Sequence, residues 1–276
     1  MLLAIDSGNT NIVFAVFDDG GDIRGQWRFS TDSERTADEF GVWLTQLMRL
    51  DGFEGGEISA SVIATVVPAA LFNLKTLCRK YFDCDPLVVG EAAVDLGLQV
   101  LVERPEDVGA DRLANAVGAH EHYDGPLIVV DFGTATTFDM IDADGNYCGG
   151  IIAPGVNLSL EALHMAAAQL PRVAIGRPEK VIGKSTIEAM QSGMFWGYIS
   201  MIEGLIRRIC DEFGAEMKVI ATGGLARLFA QSTNSIRLSD PDLTLKGLLA
   251  IHRRNHRPHN HRPHNHRPHN HRPLAK

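Results

Sequence analysis

Leu2-Leu3-Ala4-Ile5-Asp6-Ser7-Gly8-Asn9-Thr10 and Leu127-Ile128-Val129-Val130-Asp131-Phe132-Gly133-Thr134-Ala135-Thr136 are two copies of one segment, 125 positions apart. Each is a short apolar strand that ends in Asp-x-Gly. Each then runs into a second apolar stretch, Ile12 to Phe17 or Thr137 to Ile141, and reaches a turn at Asp19-Gly20 or Asp144-Gly145. The pattern predicts strand, tight loop, strand and hairpin turn, twice over.

Loops of this composition suit phosphate. Gly8 and Gly133 let backbone N–H groups approach an anion with no Cβ in the way, and Asn9, Thr10, Thr134 and Thr136 add side-chain donors. Asp6 and Asp131 need another reason to be there, because a carboxylate beside phosphate requires a cation or its water shell between them. A pair of hairpins with Asp-Gly turns is the plainer reading of either copy alone; two copies in register favour a nucleotide cradle.

Composition narrows the class. The chain has 276 residues, of which 45% are hydrophobic, enough for two similar subdomains with full cores. Its formal charge of −8 conceals two regions: residues 252–276 carry seven basic side chains and no acid, leaving 19 basic against 34 acidic residues in the body. An acidic body argues against nucleic-acid binding and leaves anionic substrates to a few focused groups. No apolar run is long enough to span a membrane and no secretory leader is recognisable, so the expected location is cytoplasmic, away from membranes. Cys78, Cys84, Cys148 and Cys210 have neither CxxC nor zinc spacing and are expected as reduced thiols.

The tail repeats His-Arg-Pro-His-Asn with a period of five and holds eight of the eleven histidines. Proline in every repeat and no apolar face predict disorder from 252 onward. The tail reads as a metal- or anion-binding appendage or as the product of a changed reading frame.

Between and after the cradles the chain alternates. Helices are predicted over Thr36 to Leu50, Ala69 to Tyr81, Val156 to Ala168 and Thr186 to Phe213; strands are predicted over Ser61 to Val67, Pro86 to Val89 and Lys218 to Ala221. The last strand empties into Thr222-Gly223-Gly224, bare backbone that suits an adenosine and equally suits an ordinary strand-to-helix turn. Val108-Gly109-Ala110-Asp111-Arg112 precedes an apolar helix. Asp111 there is either a helix cap with Arg112 as a surface partner, or a carboxylate and guanidinium that orient a hydroxyl nucleophile and hold its acid group.

Taken in order, Asp6-x-Gly8-Asn9-Thr10, Gly109-Ala110-Asp111-Arg112, Asp131-x-Gly133-Thr134-x-Thr136, Gly149-Gly150 with Pro154-Gly155, and Thr222-Gly223-Gly224 resemble the type III pantothenate kinase family over residues 1–251. The resemblance implies an α/β, duplicated ribonuclease-H-like fold of the actin-like ATPase kind, with two similar subdomains and the nucleotide cleft between them. The expected division is 1–115, 116–251 and the tail at 252–276.

The same resemblance implies ATP-dependent phosphorylation of pantothenate to 4′-phosphopantothenate, the first step toward coenzyme A. It assigns Asp6, Ser7, Gly8, Asn9, Thr10, Asn11, Ile12 and Val13 to the first phosphate loop, Thr134, Gly223 and Gly224 to ATP, and Gly109, Ala110, Asp111, Arg112 and Thr186 to pantothenate. Asp111 becomes the proton acceptor, Arg112 the partner of the substrate carboxylate, and Asp131 the ligand of a monovalent cation, potassium or ammonium. Magnesium accompanies ATP, and family members are homodimers with the acceptor site near the subunit interface. Two rival readings are a different small-molecule kinase of the superfamily and a nucleotide-binding regulator without transfer activity.

Overall fold

A computed structural model describes residues 1–166 and 170–256. The first half opens with β1 (Leu2–Ser7), β2 (Asn11–Phe17) and β3 (Ile23–Ser30), an antiparallel meander. Helix α1 (Ala37–Leu50) leads to β4 (Ala60–Thr65), which runs parallel to β1, and α2 (Pro68–Phe82) leads to β5 (Pro86–Val88), parallel to β4. The sheet order is β3-β2-β1-β4-β5.

After α3 (Ala110–His122) the pattern returns. Strands β6 (Leu127–Phe132), β7 (Ala135–Ile141) and β8 (Tyr147–Pro154) form the second meander, followed by α4 (Val156–Ala166) and the long α5 (Thr186–Phe213). Then come β9 (Lys218–Gly223), α6 (Ala226–Ala230), β10 (Leu238–Ser239) and α7 (Leu243–Asn255), giving sheet order β10-β9-β6-β7-β8. The two sheets are topological copies, with β6, β7, β8, β9 and β10 in the places of β1, β2, β3, β4 and β5.

The 125-residue offset holds only as far as the first loop. Asp6 pairs with Val13 on β2, whereas Asp131 pairs with Thr137 on β7, so the second loop is one residue shorter. Beyond the loops the offset is therefore 124. The β-bulges agree, falling between Val16 and Phe17 in one half and between Met140 and Ile141 in the other.

Local chemistry explains the helix boundaries. Thr36 caps α1 by accepting from Glu39 N–H, while Glu39 reaches back to the Thr36 backbone, a reciprocal capping box. Phe40, Leu44 and Met48, at helical spacing, then face the first sheet. Pro68 opens α2 at a position where its missing N–H costs nothing, and Ser185 caps α5 by accepting from Glu188 N–H.

Apolar layers fill the space on both sides of each sheet. Phe14, Phe40 and Leu74 form the outer core of the first half; Phe138, Phe195 and Phe229 form that of the second. Between the sheets lie α3 and α7. Leu113, Val117, Leu248 and Ile251 pack on the first sheet, whereas Ala116, Ala119 and Leu243 pack on the second. The two helices cross almost in backbone contact, because a Cβ on Gly247 would run into the Ala114 carbonyl and one on Gly118 would lie 2.5 Å from the Leu243 carbonyl oxygen.

Two expected boundaries shift. A division at 115/116 would cut α3, which is continuous from Ala110 to His122. The tail boundary at 252 also moves, because α7 continues to Asn255: Asn255 Nδ2 donates to the carbonyls of Ile251 and Asp95, and Arg253 Nη2 donates to Gly20 O. Basic residues are favourable in the last turn of a helix, where the carbonyl ends point. Ala168 and the tail after residue 256 lie outside the described residues.

Candidate functional site

A cleft of about 820 Å³ opens between the two sheets, walled by the loops that follow β1 and β6 and by the end of β9. It sits beyond the carboxyl ends of the parallel strands, the usual ligand position in α/β sheets. Each loop is closed by its glycine, with Gly8 N donating to Asn11 O at 2.9 Å and Gly133 N donating to Ala135 O at 3.0 Å. Thr31 braces the first loop through two bonds, from its Oγ1 to Gly8 O at 2.6 Å and from its N–H to Thr10 O at 2.9 Å. Across the cleft the hydroxyls of Thr10 and Thr134 meet at 2.7 Å.

Four carboxylates line this space: Glu161, which pairs with Arg172, and the trio Asp6, Asp111 and Asp131. Asp6 is pushed up to about 7, first by burial and then by the charges of Asp111 and Asp131, with Arg28 pulling the other way. Asp131 also rises to about 7, through burial and then Asp111 and Asp139, and is eased by the amide of Asn115, whose Nδ2 donates to Oδ2 at 3.1 Å. Asp111 is raised by burial against the opposing help of the Arg112 backbone N–H and charge. Such a trio is poorly compensated by protein alone and invites a cation. Among the described residues no group of three or more His, Cys, Asp or Glu is arranged to hold a metal by itself. A cation here would draw most of its ligands from phosphate and water, as magnesium with a nucleotide does.

Of the two glycines at the end of β9, Gly223 has a steric reason. Gly223 has φ +88°, and a Cβ there would strike the Asp131 carboxylate. Its absence keeps Asp131 in the cleft.

Gly109 is the N-cap of α3, so Asp111 sits in the first turn rather than at the cap. Its Oδ1 accepts from Arg112 N–H at 2.8 Å. Arg112 turns away from the cleft floor toward β7, where Nε donates to Asp139 Oδ1 at 2.7 Å. Tyr147 Oη donates to the same oxygen at 2.8 Å, and the Arg112 guanidinium carbon lies 5.7 Å from the Tyr147 ring centroid.

The predicted residues divide accordingly. Asp6, Gly8, Asn9, Thr10, Asn11 and Val13 line the cleft, as do Asp111, Asp131, Thr134, Gly223 and Gly224. Ser7 and Ile12 do not, since both side chains point into the protein and the Ser7 hydroxyl is buried without a partner. Gly109, Ala110 and Arg112 stand beside the cleft. Thr186 is exposed at the start of α5 and is not part of the cleft of its own chain.

Sequence reasoning missed Arg28, Asn115, Asp139 and Tyr147. Asn115 is fully buried and joins three elements, donating to Asp131 and accepting from Thr244 Oγ1 at 2.7 Å. Its only sequence signal is an amide on the apolar side of a helix. Asp139 had a clearer one, a charge in the middle of the apolar stretch Thr137 to Ile141.

Comparison with known proteins agrees with this geometry. The family profile described as type III pantothenate kinase matches residues 2–208. A type III pantothenate kinase of Paramagnetospirillum magneticum is 70% identical over 258 residues, covering 94% of this chain and 99% of that protein. One from Rhodospirillum rubrum is 68% identical over 255 residues, covering 92% and 99%. Among solved structures, a Campylobacter jejuni protein described as a Baf family transcriptional activator superposes with a TM-score of 0.57 at 20% identity, covering 92% of this chain and 98% of that one. A Sinorhizobium meliloti protein described as a 2-dehydro-3-deoxygalactonokinase gives 0.53 at 14% identity, covering 92% and 96%. These structural likenesses speak to the fold, a duplicated α/β ATPase fold of the actin-like kind.

Proposed function

The chain belongs to the type III pantothenate kinase family and transfers phosphate from ATP to pantothenate, and from that premise we propose which of its residues do so. ATP lies in the cleft with its phosphates between the Asp6 and Asp131 loops. Backbone N–H groups of both loops and the hydroxyls of Thr10 and Thr134 donate to the phosphate oxygens, and Gly223 and Gly224 leave room for the nucleoside. Arg28, also on the cleft wall, adds positive charge on the β1 side. Magnesium bound with ATP would supply charge neutralisation at the phosphates, and Asp6 would hold it directly or through water.

Asp111 is the base. It accepts the proton of the pantothenate primary hydroxyl as that oxygen bonds to the γ-phosphorus and the bond to the β-phosphate oxygen breaks, giving ADP and 4′-phosphopantothenate. The raised affinity of Asp111 for protons supports this role, since a base works best when its pKa approaches the working pH. Most of the rate comes from alignment and charge neutralisation. Arg112 holds the pantothenate carboxylate; Gly109 and Ala110 shape the path between it and the base.

The observation that carries the assignment is the convergence of Asp6, Asp111 and Asp131 on one cleft from three elements. ADP release by the purified protein should require pantothenate and remain at background with acetate or a panel of sugars. Equal stimulation by a sugar would overturn the acceptor.

Four further points belong to this reading. The protein acts as a homodimer, supported by the exposed apolar side chains Ile152, Met165, Ile182 and Ile187 around β8, α4 and the start of α5. Thr186, adjacent to that face and outside its own cleft, serves the acceptor site across the subunit interface. A monovalent cation, potassium or ammonium, binds at Asp131, and the enzyme works in the cytoplasm without membrane or nucleic acid; no described helix is long and apolar enough to cross a membrane.

A further inference from the structure

Strand β7 carries a carboxylate that its twin strand lacks. With the post-loop offset of 124, Asp139 occupies the place of Ala15 on β2, which is fully buried in the apolar layer between the first sheet and the helices α3 and α7. Asp139 is likewise 0% exposed. The fold accepts a methyl group at this position in one half and holds a charge at it in the other. Stability does not explain the change, because a buried ion pair generally contributes no more than apolar packing of the same volume.

The surroundings of Asp139 explain it. Oδ1 takes Arg112 Nε at 2.7 Å and Tyr147 Oη at 2.8 Å, and Oδ2 takes Thr137 Oγ1 at 3.3 Å. Arg112 Nη2 stands 2.6 Å from the same Oδ1. The guanidinium packs beside the Tyr147 ring and over Gly150, where any Cβ would collide with Nη2. Strands β7 and β8 thus build a socket for one side chain of α3. The socket uses Nε and leaves donors over: Nη2 is buried and, despite its closeness to Asp139, makes no hydrogen bond of acceptable geometry. A buried guanidinium with spare N–H groups needs an acceptor.

We propose that Asp139 is the positioning residue for Arg112, holding the guanidinium edge-on so that its remaining N–H groups receive the carboxylate of the acceptor, and that it thereby sets the preference for an acid over a neutral analogue. This rests on the reading of Arg112 as the carboxylate partner. Adjacent residues on a helix do not face each other, so Asp111 cannot hold the Arg112 side chain, and Asp139 supplies its fixed partner. A planar guanidinium held by one edge is pre-organised for a second carboxylate at the other, so less side-chain entropy is lost when substrate binds.

The test compares Asp139→Ala, which copies the twin position, with Asp139→Asn, Tyr147→Phe and Arg112→Ala. Each is assayed with pantothenate and with pantothenol, in which an alcohol replaces the carboxylate, and melting temperature and ATP affinity are followed in parallel. The expected result for Asp139→Ala is a rise of about tenfold or more in the pantothenate KM, the size of a lost charge-assisted contact. The ATP KM should stay within about twofold, and the preference for pantothenate over pantothenol should fall by the same factor as the pantothenate kcat/KM. Adding Asp139→Ala to Arg112→Ala should cost little more than Arg112→Ala alone, because both act through one contact. Asp139→Asn and Tyr147→Phe should show smaller losses of the same kind, and they carry the test if the alanine variant does not fold. An unchanged pantothenate KM in Arg112→Ala would overturn the reading of Arg112 itself. A raised KM in Arg112→Ala with no change in a folded Asp139 variant, or equal loss for both substrates, would overturn the role of Asp139.

Discussion

Thr10 and Thr134 are the same residue of two copies of one loop, and their hydroxyls touch at 2.7 Å. Counting back from the strands that follow, Thr10 precedes Val13 by as many positions as Thr134 precedes Thr137, the residues paired with Asp6 and Asp131. Each hydroxyl supplies the partner that a phosphate oxygen would otherwise supply. On the proposed reading, nucleotide binding would exchange one weak neutral contact for charge-assisted ones. Thr134→Ala is expected to raise the ATP KM by about fivefold to tenfold and leave the pantothenate KM within about twofold, as read from initial rates. Equal effects on both would assign Thr134 to the fold.

Asp111→Asn should keep ATP binding and melting temperature and lower kcat by about a hundredfold or more, the usual contribution of a positioned base. The cap of α3 is Gly109, so the substitution leaves the cap untouched. Asparagine also keeps an acceptor for the Arg112 N–H. Normal turnover in this variant would remove Asp111 from the chemistry.

The raised carboxylates make the ligand-free protein sensitive to pH. Asp6 and Asp131 have folded values of about 7 against 3.8 for a solvent-exposed carboxylate, so the folded state holds their protons more tightly than the unfolded chain. Their contribution to stability is therefore fully present below about 3.8, declines as pH rises and is lost through about 7. Melting temperature in the absence of nucleotide and divalent cation should fall between pH 5.5 and 8. The fall should be shallower in Asp131→Asn, which removes one of the two groups, and magnesium with ATP should restore stability at pH 8. A parallel slope in wild type and variant would show that Asp131 does not titrate in this range.

Much of this architecture is legible in the sequence because the central strands are buried on both faces. Leu2 to Ile5 and Leu127 to Val130 are unbroken apolar runs, and the chain announces its loops by ending each run in Asp-x-Gly. Helices whose caps are local, such as Thr36 with Glu39, are equally plain. The missed features are long-range. Asn115 reaches Asp131 and Thr244 only once α3 and α7 cross, and the Asp139 socket needs β7, β8 and α3 together. A composition window gives no hint that Asn255 returns to Asp95, which is 160 residues away. Thr186 matched a family motif in sequence, yet helix α5 carries it outside the cleft of its own chain.

Those last contacts separate helix from tail. A chain ending after His256 should retain its melting temperature and kcat while losing most retention on a nickel column, since it removes six histidines and no described contact. A chain ending after Ile251 should melt lower by about 4 °C or more, because it removes the bonds of Arg253 and Asn255 and the last turn of α7. Identical melting of the two chains would mean that the end of α7 is dispensable.

The proposed monovalent-cation requirement rests on how Asp131 is compensated. It ends an apolar strand, faces two other carboxylates, and receives one neutral amide bond from Asn115; no cationic side chain bonds to it in the described residues. Bringing triphosphate to such a carboxylate without an intervening cation is unfavourable. Magnesium that arrives with ATP is already committed to phosphate oxygens and water, and it gives up its water reluctantly. A loop edge of carboxylate and carbonyl oxygens with no rigid octahedral set suits a larger, weakly hydrated monovalent ion. Replacing potassium with sodium at constant ionic strength and fixed magnesium should lower activity strongly, and ammonium should substitute for potassium. Asp131→Asn should weaken the potassium response together with ATP binding, because one site serves both. Equal rates in potassium and sodium would leave Asp131 to magnesium or to structure; a full potassium response in Asp131→Asn would move the monovalent site elsewhere on the cleft wall.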